Sequence, residues 1–383
     1  MIDIQTPLAL LGGLSPQTFM QRHWQRKPLL VRQALSPHEL QATPGRAALF
    51  ALAAQEAVES RLIRAEGDGW SMRHGPVLRR ALPALNRPGW TLLVQGLDLH
   101  DDESHRLLER FRFLPDARMD DLMASYASDG GGVGPHFDSY DVFLLQTSGR
   151  RRWRIGRQKD LSLREGMPLK ILADFVPEQE FLLEPGDMLY LPPRYAHEGV
   201  AEGGDCITCS IGFRAPRQDE LAQELLQRLA EDAVDEDAPG KLYADAGQPA
   251  ADHPGAMPPR LLEFAQAAVA RLLQDRDALP RALGEHLTEP KATVWFDEIE
   301  GFDEEEDDIP LTRLRLDRRT RMLYDERHIF INGDSYRAAG RDARLMRLLA
   351  DRRTLDDSDL ASASEDARSL LRSWCIAGWA HND

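Results

Sequence analysis

Short β-type runs dominate residues 133–216 and limit the fold more than any other feature of the chain. Each run is rich in branched or aromatic residues, and glycine, proline or polar turns separate one run from the next. The runs are VGPHFDSYDVFLLQT, RRRWRIG, PLKILADF, EFLLEPGDMLYLPP and CITCSIGFRAP. Such a series is typical of an antiparallel sandwich or small barrel, so we expect a mainly β domain.

Helices and isolated strands are expected before this series. PLLVR, after Pro28, predicts a strand, and residues 45–87 show helical spacing that alternates with turns. WTLLVQGLD, at 90–98, predicts a buried strand, and residues 107–125 predict a helix with a break near Pro115.

The character of the sequence changes after Pro216. DELAQELLQRLAEDAVDE and RLLEFAQAAVARLLQDRDAL each predict an amphipathic helix, and a Pro/Ala/Gly-rich linker at 238–259 lies between them. Helices of this kind pack on each other or on a second copy of the chain, so we expect a homodimer. The run FDEIEGFDEEEDDI predicts a solvated acidic loop, with a cation or a basic partner as the alternative.

The last segment, from about residue 311, combines predicted strands with the predicted helices RDARLMRLLADR and SEDARSLLRSWCIAGWAH. This mixture is typical of a small winged-helix-like α+β module. The expected domains are therefore a catalytic-type barrel at 1–216, a helical dimerisation region at 217–305 and the winged-helix-like module at 306–383.

Charge and cysteine content restrict the partners and the compartment. The chain has 63 acidic and 47 basic residues, a net charge of −16, which argues against nucleic acid and favours basic ligands such as basic proteins. The N-terminal residues show neither a signal peptide nor a membrane span. Three cysteines, of which Cys206 and Cys209 are interpreted as core residues, form no disulfide framework, so we expect a cytoplasmic protein.

One spacing in the barrel region indicates a metal site. His136 and Asp138 are two residues apart, so on a strand they would face the same side. His197 follows the strand that closes with PPRYA, 61 residues after His136, and offers a third ligand. Two imidazoles and one carboxylate make the facial triad that holds Fe(II) and leaves positions open for a cosubstrate and O₂. Each signal alone is more often structural, and it is their combination that is specific.

Arg151 indicates an anion-binding position beside the predicted metal site. On RRRWRI it shares a face with Trp153 and Ile155, so an inward-facing Arg151 would be a buried cation that requires a carboxylate. A keto acid that chelates Fe(II) at one end would offer that carboxylate at the other. On CITCSIGF, Thr208 and Ser210 share one face and could add hydroxyl hydrogen bonds.

These residues resemble the JmjC-type cupin oxygenases, and more closely the bacterial ribosomal oxygenases, which hydroxylate an arginine of a large-subunit ribosomal protein. The resemblance covers essentially the whole chain, through WQRKPLLVR, GGGVGPHFDSYDVFLLQTSGRRRWRIG, EPGDMLYLPPRYAHEG and SIGFRAP. It implies a double-stranded β-helix barrel with flanking helices.

The resemblance also assigns roles. It implies that His136, Asp138 and His197 are iron ligands and that Arg151 holds the distal carboxylate of 2-oxoglutarate. Ser210 and Thr208 fall on the strand that completes the cosubstrate site, although the family often has asparagine where Thr208 stands.

The activity implied is hydroxylation of the β-carbon of an arginine in a basic ribosomal protein, with Fe(II), 2-oxoglutarate and O₂. Two alternatives stay open. One is an oxygenase of the same type acting on a histidine or another protein target. The other is a non-catalytic cupin that binds metal for structure and serves as a scaffold.

Overall fold

The computed structural model describes residues 3–67, 69–232, 241–247, 249–250, 253, 255–298 and 311–382. The chain divides into two compact units. The first consists of Met1–Ala215 and Thr293–Trp295, and the second of Pro216–Ala292 and Phe296–Asp383. The further separation of a helical dimerisation region from the C-terminal module stays a prediction.

The first unit is built on one antiparallel sheet of nine strands, as predicted for a mainly β domain. Eight strands follow the order β1-β8-β6-β9-β5-β4-β2-β3, and β7 pairs with β6. The strands are β1 (Leu29–Val31), β2 (Ser60–Glu66), β3 (Gly69–His74), β4 (Trp90–Val94), β5 (Met119–Ala127), β6 (Asp141–Gly156), β7 (Gln179–Leu183), β8 (Met188–Leu191) and β9 (Ala196–Phe213). The flanking helices are α1 (Pro16–Arg22), α2 (Pro37–Leu40), α3 (Arg46–Leu52) and α4 (Asp102–Glu109).

The pairing of β6 with β9 contains an irregularity that decides which side chains face the interior. The register shifts on both sides of Ser148. Gly149 beside it has φ +62°, and a Cβ there would lie 2.9 Å from Cα of Cys206, so the bulge requires glycine. Because of the shift, Leu144 and Trp153 share one hydrophobic cluster, although one position is even and the other odd.

The opposite face of β6 is covered by the N-terminal helices. Ser15 caps α1 by accepting a hydrogen bond from the backbone of Thr18, and Phe19 of α1 is fully buried. The Phe19 ring lies 5.0 Å from that of Tyr190 and 5.6 Å from that of Phe143. This aromatic cluster covers one face of the sheet, here called the outer face. The opposite, inner face is therefore the one that can line a site.

Three predictions for this unit are wrong. Residues 119–125, predicted as helix, belong to strand β5, and residues 60–66 and 69–74 are the paired strands β2 and β3. Most of β5 is buried on both faces, so its sequence lacks the alternation that distinguishes strand from helix. The run PLKILADF is no strand but a loop with an isolated bridge from Leu163 to Leu172.

The second unit combines helices with two small sheets, which confirms a winged-helix-like α+β module. The sheets follow the orders β14-β10-β15 and β11-β12-β13. The helices are α5 (Gln218–Asp232), α6 (Pro259–Leu272), α7 (Ala278–Thr288), α8 (Gly340–Arg352), α9 (Asp357–Leu360) and α10 (Glu365–Ile376). The strands are β10 (Leu314–Leu316), β11 (Met322–Tyr324), β12 (His328–Ile331), β13 (Asp334–Arg337), β14 (Thr354–Leu355) and β15 (Ala380–Asn382).

The second predicted amphipathic helix, residues 260–279, ends earlier than predicted: α6 ends at Leu272, and a new helix, α7, begins at Ala278. The Asp275 carboxylate accepts a hydrogen bond from the backbone of Asp277 at 2.9 Å, a local bond that competes with helical pairing between α6 and α7. Helix α7 packs on β12, since a Cβ on Gly284 would lie 2.4 Å from the Phe330 ring. Of the predicted acidic loop, residues 299–309 lie outside the described residues.

Candidate active site

Two histidines and one aspartate meet where the chain enters β6 and β9. The ligand atoms of His136, Asp138 and His197, here called the triad, all lie within 4.8 Å of one another. His136 and His197 exchange two backbone hydrogen bonds of 2.9 and 2.8 Å, and the backbone N–H of Arg194 donates to the Asp138 carbonyl at 2.7 Å. His136 and Asp138 precede β6 rather than lying on a regular strand as predicted, yet this pairing brings both to His197.

Both imidazoles present the same nitrogen to the centre of the triad. Nδ1 of His136 donates to the Gly134 carbonyl at 2.9 Å, and Nδ1 of His197 donates to the Tyr195 carbonyl at 2.8 Å. With Nδ1 occupied, the lone pair of each neutral ring lies on Nε2, and Nε2 of His197 is 3.6 Å from Asp138 Oδ2. Backbone bonds of this kind orient the histidine ligands of protein metal sites.

Burial keeps His197 uncharged at neutral pH. Desolvation, and then the charge of His136, lower the pKa of His197 to about 4, against a smaller opposing effect of Asp138. A neutral imidazole is the form that binds a metal ion. His197 therefore offers its Nε2 lone pair to a divalent cation without losing a proton at any pH above about 4.

The described residues contain one further group with metal-ligand chemistry, formed by Glu224, His286 and Glu289. The guanidinium of Arg228 already bonds both carboxylates there, to Glu224 at 2.9 Å and also to Glu289. A bound cation would have to displace this arginine, so the triad is the better metal site.

Arg151 is a buried cation whose charge no described carboxylate balances. The residue is 5% exposed, and its Nη1 donates to Ser125 Oγ at 3.0 Å. Its Nε and Nη2 are buried without a hydrogen-bond partner among the described residues. Leaving a buried charge unpaired is costly, so this position fits an anionic ligand that accepts from the guanidinium.

The two predicted hydroxyl residues have different surroundings. Thr208 is buried and donates to Gln146 Oε1 at 2.8 Å, so its hydroxyl hydrogen is already engaged. Ser210 is half-buried and lies opposite Leu144 on β6 and Met123 on β5. Both face the same side of the sheet as Arg151, and contact of either with a cosubstrate stays a prediction.

Ser125, which accepts a hydrogen bond from Arg151, was not predicted from the sequence. Ser125 lies directly opposite Thr208 across the β5–β9 pairing. The residue was assigned to a helix, and within a helix nothing relates it to Arg151. Correct assignment of β5 as a strand beside CITCSIGF would have been the signal that reveals it.

An acidic rim, also missed, lies next to the triad. Burial, followed by the charges of Asp138, Asp121 and Asp120, raises the pKa of Tyr140. Asp121 is itself buried, and Asp120 accepts a hydrogen bond from Arg214 at 2.9 Å. These carboxylates place negative charge around Tyr140, although Arg214 partly offsets that of Asp120.

The fold and the site together define a JmjC-type oxygenase. Residues 106–221 match the model of the JmjC domain, and residues 271–381 match that of the ROXA-like winged helix. Among solved structures, that of Escherichia coli ycfD superposes with a TM-score of 0.81 and 27% identity over 95% of this chain and 96% of that chain. A second, of E. coli YcfD in complex with cobalt and 2-oxoglutarate, gives a TM-score of 0.76 and 28% identity over 96% and 98%.

Curated relatives specify the family. "Ribosomal protein uL16 3-hydroxylase" of E. coli (strain K12) is 33% identical over 71% of each chain. "Probable ribosomal oxygenase" of Haemophilus influenzae is 31% identical over 96% of each chain. The chain belongs to the ribosomal oxygenase family, and the predicted resemblance is confirmed. It is a 2-oxoglutarate- and Fe(II)-dependent dioxygenase. Within the described residues, no helix is long and apolar enough to cross a membrane.

The lowered pKa of His197 predicts a pH-dependent stability of the metal-free chain. The unfolded chain takes up a proton at His197 near pH 6.5 and the folded chain only near pH 4, so the free energy of unfolding falls as the pH drops through this window. The loss reaches about 3 kcal/mol at the lower end. His197→Gln removes this contribution, which urea unfolding with a chelator between pH 4 and 7 measures. The exposed His74→Gln is the control, and parallel pH profiles for wild type and His197→Gln would contradict the assignment.

Proposed function

We propose that this chain hydroxylates the β-carbon of an arginine in a large-subunit ribosomal protein. The observation that carries the proposal is the coexistence of an oriented His-Asp-His triad with a buried, unbalanced Arg151 on the same inner face. The name of the E. coli relative, a uL16 3-hydroxylase, supports both the ribosomal substrate and the position, because carbon 3 of an amino acid is its β-carbon.

The residues of the site divide into metal ligands and cosubstrate contacts. We assign Fe(II) to His136, Asp138 and His197, an arrangement that leaves coordination positions open for small ligands. Arg151, with Ser125, is assigned to the distal carboxylate of 2-oxoglutarate, and Thr208 and Ser210 to the wall beside it. Bound Fe(II), with 2-oxoglutarate and O₂, supplies the oxidation that turns a C–H group into an alcohol while 2-oxoglutarate becomes succinate and CO₂.

The protein's own contribution is orientation and exclusion of water. The indole of Trp153 lies 5.8 Å from the His197 ring and beside Gly199, where a Cβ would come within 2.7 Å of the indole. The missing side chain allows Trp153 to cover the buried edge of His197. A dry, fixed imidazole holds its ligand nitrogen in place throughout the reaction.

The acidic rim favours arginine over a neutral target side chain. Asp120, Asp121 and Asp138, the carboxylate of the triad, all lie close enough to the phenol of Tyr140 to raise its pKa. A guanidinium held by such carboxylates would place the carbons of its own side chain towards the metal. A histidine substrate would gain less from this potential, so the rim separates the proposed reaction from the histidyl alternative.

The cysteines support a cytoplasmic reaction. Cys206, Cys209 and Cys375 are all buried and free. Burial raises the pKa of Cys209 to about 12, which keeps that thiol protonated and unreactive. No disulfide among these residues is needed for the fold, as expected in a reducing compartment that also contains ribosomal proteins.

The proposed reaction is tested by mass spectrometry on a panel of basic ribosomal proteins incubated with the chain, Fe(II), 2-oxoglutarate and O₂. We expect one added oxygen on the β-carbon of a single arginine, located by fragmentation. His136→Ala should abolish it because the metal loses a ligand, and Asp121→Asn should reduce modification more than it reduces metal binding. Succinate release without a modified protein would move the assignment to another target, and neither signal would favour the scaffold alternative.

Arg151 and its neighbour Arg150 give a matched pair for the cosubstrate assignment. Arg150 is exposed and points away from Arg151, whose face is buried. Arg151→Gln should weaken 2-oxoglutarate binding roughly 10- to 100-fold, because charge-assisted hydrogen bonds to a carboxylate are lost. Arg150→Gln should leave it unchanged. Titration of 2-oxoglutarate into the Co(II)-loaded protein measures both, and equal dissociation constants for the two variants would refute the role of Arg151.

We further propose that the chain is a homodimer through α6. None of the residues of this 14-residue amphipathic helix is buried, and its apolar stripe includes Leu262 and Val269, which are 48% and 59% exposed. A second copy would cover this stripe.

Analytical ultracentrifugation tests the dimer. Leu262→Glu combined with Val269→Glu should convert it to monomer, because the two charges would be buried without partners. Ala267→Glu, on the opposite side of α6, should leave the dimer intact. A monomeric wild-type chain, or a dimer that tolerates both charges, would overturn the proposal.

A further inference from the structure

A polar cavity lies within the second unit, and none of the residues of the candidate active site lines it. Its volume is about 690 Å³. Its wall is formed by the first turns of α8, the end of β13, the β11–β12 turn and the residue before α7. The charged residues of this wall are Asp277, Glu326, Arg327, Arg337, Arg344 and Arg347.

The charges of this wall do not balance. Arg327 and Arg337 both bond the same carboxylate, that of Asp277, at 2.6 and 2.5 Å. One negative charge cannot neutralise two guanidinium groups, and Glu326 is the only other acidic residue of the lining. Four arginines against two carboxylates leave the cavity with a formal charge of +2.

The other two arginines make no ion pair with a described carboxylate. Arg347 donates from Nη2 to the backbone carbonyls of Asp325 and Glu326, at 3.1 and 2.8 Å, and its Nε is buried without a partner. Arg344, one turn earlier on α8, is exposed and has no hydrogen bond to a described residue. Arg344 therefore offers unengaged donors at the wall of the cavity, and Arg347 adds positive charge beside it.

The start of α8 adds to this positive potential. Gly340 and Ala343 face the cavity with little or no side chain, and the residue before the helix, Ala339, provides no side-chain cap. The first N–H groups of a 13-residue helix, together with its dipole, favour an anion at this end. Small residues here allow a ligand to approach the backbone closely.

We propose that this cavity binds a phosphate group. Planar guanidinium forks and free backbone N–H groups match the several acceptor oxygens of a phosphate better than the two of a carboxylate. A volume of about 690 Å³ also accommodates a nucleotide unit around the phosphate. The source is either the backbone of an RNA strand or a small free phosphate compound.

The proposal does not depend on the proposed hydroxylation. It differs from the expectation drawn from net charge, because charge averaged over the sequence conceals a local arrangement. In residues 311–383, 14 arginines and 12 acidic residues nearly cancel. The arginines of the cavity are nevertheless concentrated around one helix end, and a single phosphate senses only this local field.

The test uses the full-length chain and two probes. Fluorescence anisotropy follows a labelled single-stranded oligouridylate, and line broadening in ³¹P NMR follows inorganic phosphate. Arg344→Glu should weaken binding about tenfold or more, since it reverses a charge that makes no described contact. Arg313→Glu, an exposed residue outside the cavity, is the matched control. Arg337→Gln serves as a second cavity variant, and circular dichroism verifies folding.

The outcomes separate the two sources. RNA binding that Arg344→Glu and Arg337→Gln weaken, and Arg313→Glu does not, assigns the site to a polynucleotide backbone. Phosphate binding with the same dependence, but without RNA binding, assigns it to a small phosphate compound. If neither probe binds, or if the cavity variants bind like Arg313→Glu, the proposal is wrong. Hydroxylation of a free substrate protein should be unchanged in these variants, so failure here is distinct from failure of the proposed reaction.

Discussion

The antiparallel pairing of β6 with β9 is the constraint on which the site depends. This ladder places His197 opposite Ile155 of β6, and His136 exchanges its two backbone hydrogen bonds with the same His197 in a separate bridge. The ladder also contains the bulge at Gly149, which turns Arg151 to the inner face. One pairing thus sets the positions of both Arg151 and His197, and a change in its register would alter the distance between them.

The inner face of this sheet carries a buried positive charge that no described carboxylate balances. The packing of the surrounding hydrophobic side chains must compensate this cost in free energy. A buried guanidinium with two unsatisfied nitrogens and a deeply buried imidazole both cost free energy in the ligand-free protein. An anion at Arg151 and a cation at the triad would compensate these costs simultaneously. Ligands that stabilise the folded state in this way also raise its free energy of unfolding by mass action.

The sequence predicts the chemistry of the site better than its geometry. Local periodicity was enough to pair His136 with Asp138 and to place Arg151 with Trp153. His197 was chosen from the loop after PPRYA, and the structure brings its side chain to the other two. The sequence did not predict that His136 and Asp138 precede the strand, nor the register shift, because both depend on pairing with residues about 60 positions away. Strand β5 was missed for the related reason that a strand buried on both faces has no polar alternation. The contact of Ser125 with Arg151 was not predicted for the same reason, because Ser125 lies on β5.

The arginine-rich second half of β6 shows what distinguishes a structural cation from one available to a ligand. Arg152 bonds Glu180 and Glu202 on the outer face, each at 2.5 Å, and Arg154 bonds Glu198, so these charges are neutralised where they lie. Arg151, between them in sequence, has no such partner. Surface pairs of the first kind contribute little to stability and need no ligand. A buried guanidinium without a carboxylate partner in the protein can still form a strong ion pair with a bound anion. The same criterion, unbalanced charge at a fixed position, selects the cavity beside α8 from the many exposed arginines of this chain.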